Sequence, residues 1–558
     1  MRIAAILLLA TGVLYAQDDV VMKAMRDEMA RSMKELQLEN LEKPYFIAYR
    51  VVDSESTRVA ASFGALTHSN TGHSRMLNVE VRVGDYKLDN SNFFSFNFDG
   101  GTGFQIFNGN TMLPLDDDYK EMRRLIWLAT DSAYKKAVED FSKKRAMFQN
   151  KTRSDDTADF SKEDPVTSTD ELPPLKIDRT KWEAETRNLS ALFRKMPAIY
   201  TSDVSFNAVT SYVRYLTSEG TSYTRRQPSI AFNGSAATQA SDGAALDDFV
   251  WLHARSVSEM PSEQELAKRL QALGQSLTDL RGASTLVNYN GPVLAEGDAA
   301  AQLFRLVFIP NLLGSRRVLS DMQGFQNTGN QAENPFIDRI GARVLPDFLS
   351  VTDNPTIAEY QQQRMTGFSK IDEDGIPSRE TKLIDNGILK TLLMSRDPVR
   401  GVERSTGSRH AGQATPSNVF VTASNGVSEA ELRAKFLDMI KQRNRPFGIL
   451  VRRMRNVNNP VLAYKVFPDG HEELIRGVQF FGLNAASFKD IAAASKDQHI
   501  LTVRFQPRNQ MPMMTMAEEN FTPVTLAVPS LLFEDATIRK IRAEAPNPPV
   551  AGHPFFDK

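Results

Sequence analysis

The sequence predicts an α+β protein, in which an N-terminal domain of mixed helices and antiparallel strands precedes a β-rich C-terminal domain. Three observations lead to this prediction. Helical and β-rich segments alternate up to residue 284, short strands and turns dominate from residue 285 onward, and a chain of 558 residues is too long for one ordinary core. Apolar residues make up 41% and charged residues 24%, which excludes collagenous, coiled-coil and wholly disordered classes.

The first 18 residues have the layout of a secretory signal peptide. Arg2 precedes an apolar run that ends at the small residue Ala16, and the chain turns acidic at Asp18. The run is shorter than the roughly 20 residues that span a bilayer. We therefore expect residues 1–16 to be removed and the protein to be exported to the periplasm or the extracellular space, with retention as an N-terminal anchor as the alternative.

Apolar residues at helical spacing predict four helices in the N-terminal half, over 18–38, 116–148 and 181–194 and from 262 onward. Ser262 and Glu265 form a capping box at the start of the last one. Short runs rich in β-branched and aromatic residues over 45–98, and further strands over 199–255, predict an antiparallel sheet. Residues 17–149 and 179–284 are therefore expected to form the N-terminal domain.

Residues 150–178 separate these two parts. They are almost free of large apolar side chains and are rich in Ser, Thr, Asp and Pro. Such a composition cannot bury enough apolar surface to offset the entropy of ordering. We expect a disordered insert here.

The C-terminal domain is expected over 285–540, with a proline-rich tail over 541–558. Asn386-Gly387 between two apolar runs is a strong hairpin signal, and Pro468-Asp469-Gly470 marks a second hairpin. One helix, from Ser428 to Arg443, interrupts the strands. No repeat at solenoid or propeller periods is present in the sequence.

The scarcity of reactive residue types limits the possible chemistry. The chain has no cysteine and 7 histidines, which excludes disulfides, thiolate nucleophiles and zinc sites with a thiolate ligand. A formal net charge of −1 gives no general attraction for nucleic acid or an anionic membrane. No phosphate loop, nucleophile elbow or His-Glu-x-x-His motif occurs in the sequence.

The most informative segment runs from Tyr289 to Phe304, where a strand is followed by a small-residue helix that is entered through Glu296 and Asp298. Capping of the helix alone explains the two carboxylates, and the alanine run at 299–301 suggests that something packs very close. This segment resembles the start of the C-terminal domain of the TldD/PmbA family. Three further motifs resemble that family in the same order: 341–351, 374–389 and 416–421. The resemblance covers about 287–532 and is only architectural over 18–284.

The family pairs two similar subunits. One resembles a metalloprotease, with a His-Glu-x-x-x-His helix completed by a distant Cys, and the other keeps the fold without the ligands. Setting Ala295-Glu296 on the His-Glu step puts Ala300 at the second His. A methyl group cannot bind zinc, and no Cys exists. The resemblance thus implies no cofactor here, a chain closer to the metal-less PmbA/TldE-type subunit, and zinc only in a partner subunit.

This leads to the hypothesis of an exported peptide-binding partner of a metal-bearing homologue, in a homo- or heterodimer. The groove is expected to hold peptide by strand addition, with Arg409, His410 and Asn418 around it; a purely structural role for Arg409 stays open. Glu296 is the candidate general base. The alternatives are an active hydrolase with an unrecognised site and a non-catalytic peptide-binding scaffold, so whether the chain is an enzyme remains open.

Overall fold

The computed structural model of the chain describes residues 19–95, 110–150, 156–316, 318–320, 334–456, 459–505, 522–541, 547, 549 and 551–556. The expected signal segment 1–16 and half of the expected tail lie outside these ranges. Within them the protein is α+β, as predicted. The helices are α1 Val20–Glu35, α2 Tyr119–Asn150, α3 Arg179–Ala191, α4 Glu263–Gly282, α5 Asp298–Leu303 and α6 Glu429–Gln442. No helix in the described ranges is long and apolar enough to cross a membrane.

The strands form two large sheets and three small pairs. They are β1 Pro44–Ser62, β2 Ala65–Val83, β3 Phe93–Phe94, β4 Asn110–Met112, β5 Thr167–Glu171, β6 Thr201–Thr217, β7 Ser222–Gln239, β8 Ala245–Ala254, β9 Ser284–Thr285, β10 Asn288–Ala295, β11 Leu319–Ser320, β12 Leu349–Asp353, β13 Glu359–Tyr360, β14 Gln363–Arg364, β15 Thr381–Asp385, β16 Ile388–Leu389, β17 Arg409–His410, β18 Gln413–Ala414, β19 Asn418–Ala423, β20 Gly448–Asn456, β21 Asn459–Val466, β22 Glu472–Arg476, β23 Val478–Phe481, β24 Ile491–Phe505 and β25 Thr522–Lys540.

The first sheet has seven strands in the order β4-β2-β1-β6-β7-β5, with β8 paired to β7. The prediction of several short runs over 45–98 is wrong, because β1 and β2 are continuous strands of 19 residues each. The polar residues 53–58 of β1 precede the buried residues 59–61, and the polar first half of β2 is largely exposed, so both strands continue through polar sequence without a turn. The helices α1 and α2 cover one face of this sheet around a core that includes Met25, Leu77 and Ile126.

The prediction of a disordered insert over 150–178 is wrong for residues 156–178. The strand β5 pairs parallel with β7. Asp159 is buried and accepts from Lys144 Nζ at 2.7 Å and from Arg316 Nη1 at 2.7 Å. Phe160 is buried edge-on against Phe46. The segment is ordered because partners elsewhere in the chain satisfy its polar groups, which composition does not reveal.

The second sheet has twelve strands, ten of them in the order β16-β15-β12-β19-β25-β10-β20-β21-β22-β9, while β23 and β24 also pair with β25. The Asn386-Gly387 hairpin is confirmed as the β15–β16 turn, with both residues at positive φ. A Cβ on Gly387 would lie 2.3 Å from the Leu345 carbonyl oxygen, so this turn requires glycine. The second predicted hairpin is the β21–β22 pair, and Ser428 caps α6 in a full capping box with Glu431.

Candidate functional site

The strand β10 leads into α5 at the centre of the second sheet. Gly297 makes the turn with φ of 53°, and α5 begins at Asp298. The helix continues through a π-helical turn, Phe304–Phe308, and a 3-10 turn, Ile309–Leu312. The three alanines 299–301 are fully buried against the sheet, so the expectation of very close packing is confirmed.

Ala295 and Ala300 are the two residues that the resemblance set on the zinc-binding histidines of the protease subunit. Both side chains are fully buried in the main core of the C-terminal domain. A methyl group has no lone pair to offer a metal ion. These residues therefore do not fit a zinc ion, and the described part of the chain contains no group of three or more His, Asp or Glu side chains that could hold a metal elsewhere.

Glu296, between these two alanines, is held in an ion-pair network. Its carboxylate accepts from Arg452 Nε at 3.1 Å and lies 3.8 Å from Arg433 Nη1. Glu472 shares both cations, accepting from Arg433 at 2.5 Å and from Arg452 at 2.8 and 2.9 Å. Burial by itself raises the pKa of Glu472, but the hydrogen bonds from the two arginines outweigh it and lower this pKa below its ordinary value. Each oxygen of Glu296 thus faces a guanidinium, a position that suits an ion-pair partner better than a general base.

A histidine lies at the start of α5 that the sequence analysis did not single out. His499, from β24, contacts Asp298 with Nε2 2.6 Å from Oδ1, and both side chains are substantially exposed. The hydrogen bond to Asp298 raises the pKa of His499 above its ordinary value, against the effect of burial. The two residues are 201 positions apart, so no local motif could have paired them.

Arg409 lies where the loop of β17 and β18 meets the N-terminal sheet. Its Nη1 donates to Asp374 Oδ1 at 3.0 Å, and its backbone N–H donates to Asp372 Oδ2 at 3.0 Å. Glu80 of β2 lies 3.8 Å from its Nη2. Burial, with Asp374 as neighbour, raises the pKa of Asp372 to about 7, and burial also raises the pKa of Asp374. Arg409 therefore holds buried acids in place, while its side chain stays 18% exposed.

His410 follows Arg409 on β17, and Glu373, from the segment between β14 and β15, is hydrogen-bonded to this loop. The Glu373 carboxylate accepts from the backbone N–H groups of Ala411 and Gly412 at 3.0 Å each. Burial by itself raises the pKa of Glu373, but the Arg50 guanidinium outweighs it and lowers this pKa to about 2. Burial also lowers the pKa of His410 to about 4, so its half-buried imidazole is neutral near pH 7.

Asn418 is fully buried at the start of β19. Its Oδ1 accepts from the Gly367 N–H at 2.9 Å, and its Nδ2 donates to the carbonyls of Asn354 at 3.2 Å and Ile357 at 3.1 Å. The amide therefore ties two loops to the start of β19 and presents nothing to solvent. The structure brings Arg409 and His410 together in one loop and places Glu296 in a separate network.

Sequence reasoning missed the other ion pairs at the junction, the region where the N-terminal sheet meets the C-terminal half of the chain. Arg82 of β2 bonds Glu80, Asp89 and Asp397, and Arg396 bonds Glu219. Both guanidiniums stack on Phe160, 3.7 and 3.8 Å from its ring centroid. Three consecutive acids, 372–374, are the available sequence signal, but in a loop such a run is usually solvated.

Comparisons with known proteins agree with this architecture. Residues 289–540 match the family described as the PmbA/TldA metallopeptidase C-terminal domain. A metalloprotease of Methanocaldococcus jannaschii is 37% identical over 97 residues, 16% of this chain, and the match spans only 20% of that relative's length. Two solved structures have a similar fold over 92% of this chain and 99% of theirs. They are a protein of Thermotoga maritima described as a modulator of a DNA gyrase, with a TM-score of 0.58 and 13% identity, and TldE of Thermococcus kodakarensis, with 0.55 and 14%.

Proposed function

Because this chain belongs to the TldD/PmbA family of metallopeptidase-like proteins, we propose that it is an exported member without its own zinc site. It binds peptides as the partner subunit of a metal-bearing homologue and serves proteolysis or peptide maturation in that assembly. The zinc and the cleavage chemistry belong to the homologue.

The observation that carries this proposal is the set of side chains at the start of α5. Ala295 and Ala300 bury methyl groups where ligands are needed, and Arg452 and Arg433 hold the Glu296 carboxylate between them. Metal loading would require two new ligands in a packed core as well as release of Glu296. A chain that retains the family fold but not this chemistry is suited to binding, and the metal-bearing subunit supplies the reaction.

The peptide-binding role draws on strand addition to the β-rich half. Of the three residues first expected at the groove, Arg409 and His410 keep partly exposed side chains at the loop of β17 and β18. Asn418 is fully buried, and its side chain bonds the loops at Asn354 and Gly367 instead. Arg409 and His410 are therefore the residues of this set that can reach a bound peptide.

The test combines metal analysis with peptide cleavage. The purified mature chain, alone and mixed with a homologue that carries His-Glu-x-x-x-His, is assayed for bound zinc and for cleavage of an unstructured protein such as casein. The expected result is substoichiometric zinc and no cleavage by the chain alone, with faster cleavage in the mixture. A homologue with both histidines changed to alanine is the matched control and should leave the mixture inactive.

Each alternative has its own signature in the same experiment. Chelator-sensitive cleavage by the chain alone, or near-stoichiometric zinc, identifies an active hydrolase and refutes the proposal. Peptide binding with no effect on the homologue's cleavage rate identifies a scaffold and refutes the partner role.

A further inference from the structure

Arg305 lies on the π-helical turn that continues α5, and its guanidinium has only neutral partners. Nε donates to Gln302 Oε1 at 2.8 Å, and Nη1 donates to the Arg504 carbonyl oxygen at 3.3 Å. No carboxylate of the described residues pairs with it. Burial alone lowers the pKa of Arg305 to about 10, with no acid to oppose the shift.

Two other buried arginines of this protein have acid partners. Arg82 is surrounded by three carboxylates, and Arg396 is paired to Glu219 at 2.6 Å. Buried cations in proteins are normally paired, because removing a charge from water without a counter-charge costs several kcal/mol. Arg305 has no acid partner among the described residues, which leaves its charge available to a ligand that brings a carboxylate.

The guanidinium is also reachable. Arg305 is only partly buried, unlike its neighbours Phe304 and Val307, and its Nη2 is not among the fully enclosed polar atoms that lack a partner. Because Nε and one Nη1 hydrogen are used, the edge formed by Nη1 and Nη2 is the one left for a ligand. Two parallel N–H groups on one edge match the two oxygens of a carboxylate.

The position of Arg305 agrees with such a ligand being a peptide. It lies seven residues after Asp298, which corresponds to about 10 Å along a helix. An extended peptide covers that distance in about three residues. A peptide bound at Arg305 through its carboxylate would thus reach the start of α5, where His499 and Asp298 lie, with its preceding residues.

We propose that Arg305 is a binding residue for a peptide carboxylate, which its guanidinium holds through the Nη1–Nη2 edge while Gln302 and the Arg504 carbonyl fix its orientation. This inference rests on the peptide-binding role proposed above and names the chemical class that the site selects. The carboxylate is supplied either by the free C-terminus of the peptide or by an Asp or Glu side chain.

The experiment measures fluorescence anisotropy of labelled random decapeptide pools with the full mature chain. One pool has a free C-terminus, a second is C-terminally amidated, and a third is amidated with a fixed Glu at position nine. The randomised positions of all three pools exclude Asp and Glu, so each peptide carries at most one carboxylate. Loss of a charged hydrogen-bonded pair predicts about tenfold weaker binding of the amidated pool.

Three variants make the result specific. Arg305→Gln should bind the acid and amidated pools equally, and Arg305→Lys should keep a reduced preference, since it retains the charge but loses the planar edge. Arg364→Gln is the matched control, because Arg364 is exposed and paired with Glu259 on the surface. It should keep the full preference. A thermal melt of each variant reports whether it is folded.

The outcomes separate this inference from the proposed function. A preference for the free C-terminus, or for the fixed Glu, that disappears in Arg305→Gln supports the inference and identifies the source of the carboxylate. Equal binding of all pools by the unmodified chain, no binding at all, or a preference that persists in folded Arg305→Gln overturns it. Failure to accelerate the homologue's cleavage overturns the partner role instead, whatever the pools show.

Discussion

Glu296→Gln separates a structural from a catalytic role for the one acid that remains of the resembled protease motif. The substitution removes the charge but keeps the shape of the side chain. Glu296 contributes one hydrogen bond from Arg452 at 3.1 Å and a longer contact with Arg433, both to partly exposed side chains. Solvent screening limits such a pair to about 0.5–1 kcal/mol. For a unit of this size, the melting temperature should fall by about 1–4 °C.

Glu472→Gln is the matched comparison within the same network. Glu472 receives three hydrogen bonds of 2.5, 2.8 and 2.9 Å from the two arginines. Its removal leaves both cations with Glu296 alone, so its melting temperature should fall two to three times as far. Differential scanning fluorimetry at low and at high salt measures both changes, and salt should shrink the difference.

The catalytic reading makes the opposite prediction. If Glu296 were a general base, Glu296→Gln would abolish cleavage in the mixture with the metal-bearing homologue at an unchanged melting temperature. That result, or a larger loss of stability for Glu296→Gln than for Glu472→Gln, would refute the network argument.

Three further predictions concern the junction, the core and the N-terminus. Arg409→Met leaves Asp374 buried without its guanidinium and should cost about 3 kcal/mol; an unchanged urea midpoint would contradict this. Burial raises the pKa of Asp353 to about 7, so the folded state holds a proton that the unfolded chain loses above about pH 4, and this contribution to stability disappears as pH rises towards 7. Asp353→Asn should therefore gain stability relative to the unmodified chain between pH 4.5 and 7.5, and a constant difference between their melting temperatures would count against this. Mass spectrometry of the exported protein should show an N-terminus directly after Ala16, whereas a mass that includes residues 1–16 would indicate a retained anchor.

Sequence periodicity located the helices well because each has one strongly apolar face. The capping-box patterns at Ser262 and Ser428 placed two helix starts within one residue, since capping depends on side chains close together in the chain. The full box forms at Ser428, while Ser262 accepts from the Glu265 N–H. The Asn386-Gly387 turn was predictable for the same reason: its positive φ values are a local requirement.

The polar contacts of the site were not predictable, because they join residues far apart in the chain. His499 and Asp298 are 201 positions apart, and Arg396 and Glu219 are 177 apart. Each of these residues is an ordinary surface type when it is considered alone. The ordered part of the insert escaped prediction for a related reason, since Asp159 is buried only because Lys144 and Arg316 reach it.

The same long-range contacts make the two halves of the chain interdependent. The loop that carries Arg409 and His410 belongs to the family-matched half of the chain, and Glu373 lies beside it in the same half. Arg50 and Tyr223 of the N-terminal sheet both donate to the Glu373 carbonyl oxygen. Arg225 likewise donates to the Ile371 carbonyl at 2.9 Å. Without the first sheet, these two carbonyls would lose their donors, although the carboxylates beside them keep donors from within the C-terminal half. The C-terminal half alone would therefore not hold this loop in place, and a peptide site that uses Arg409 and His410 requires the whole chain.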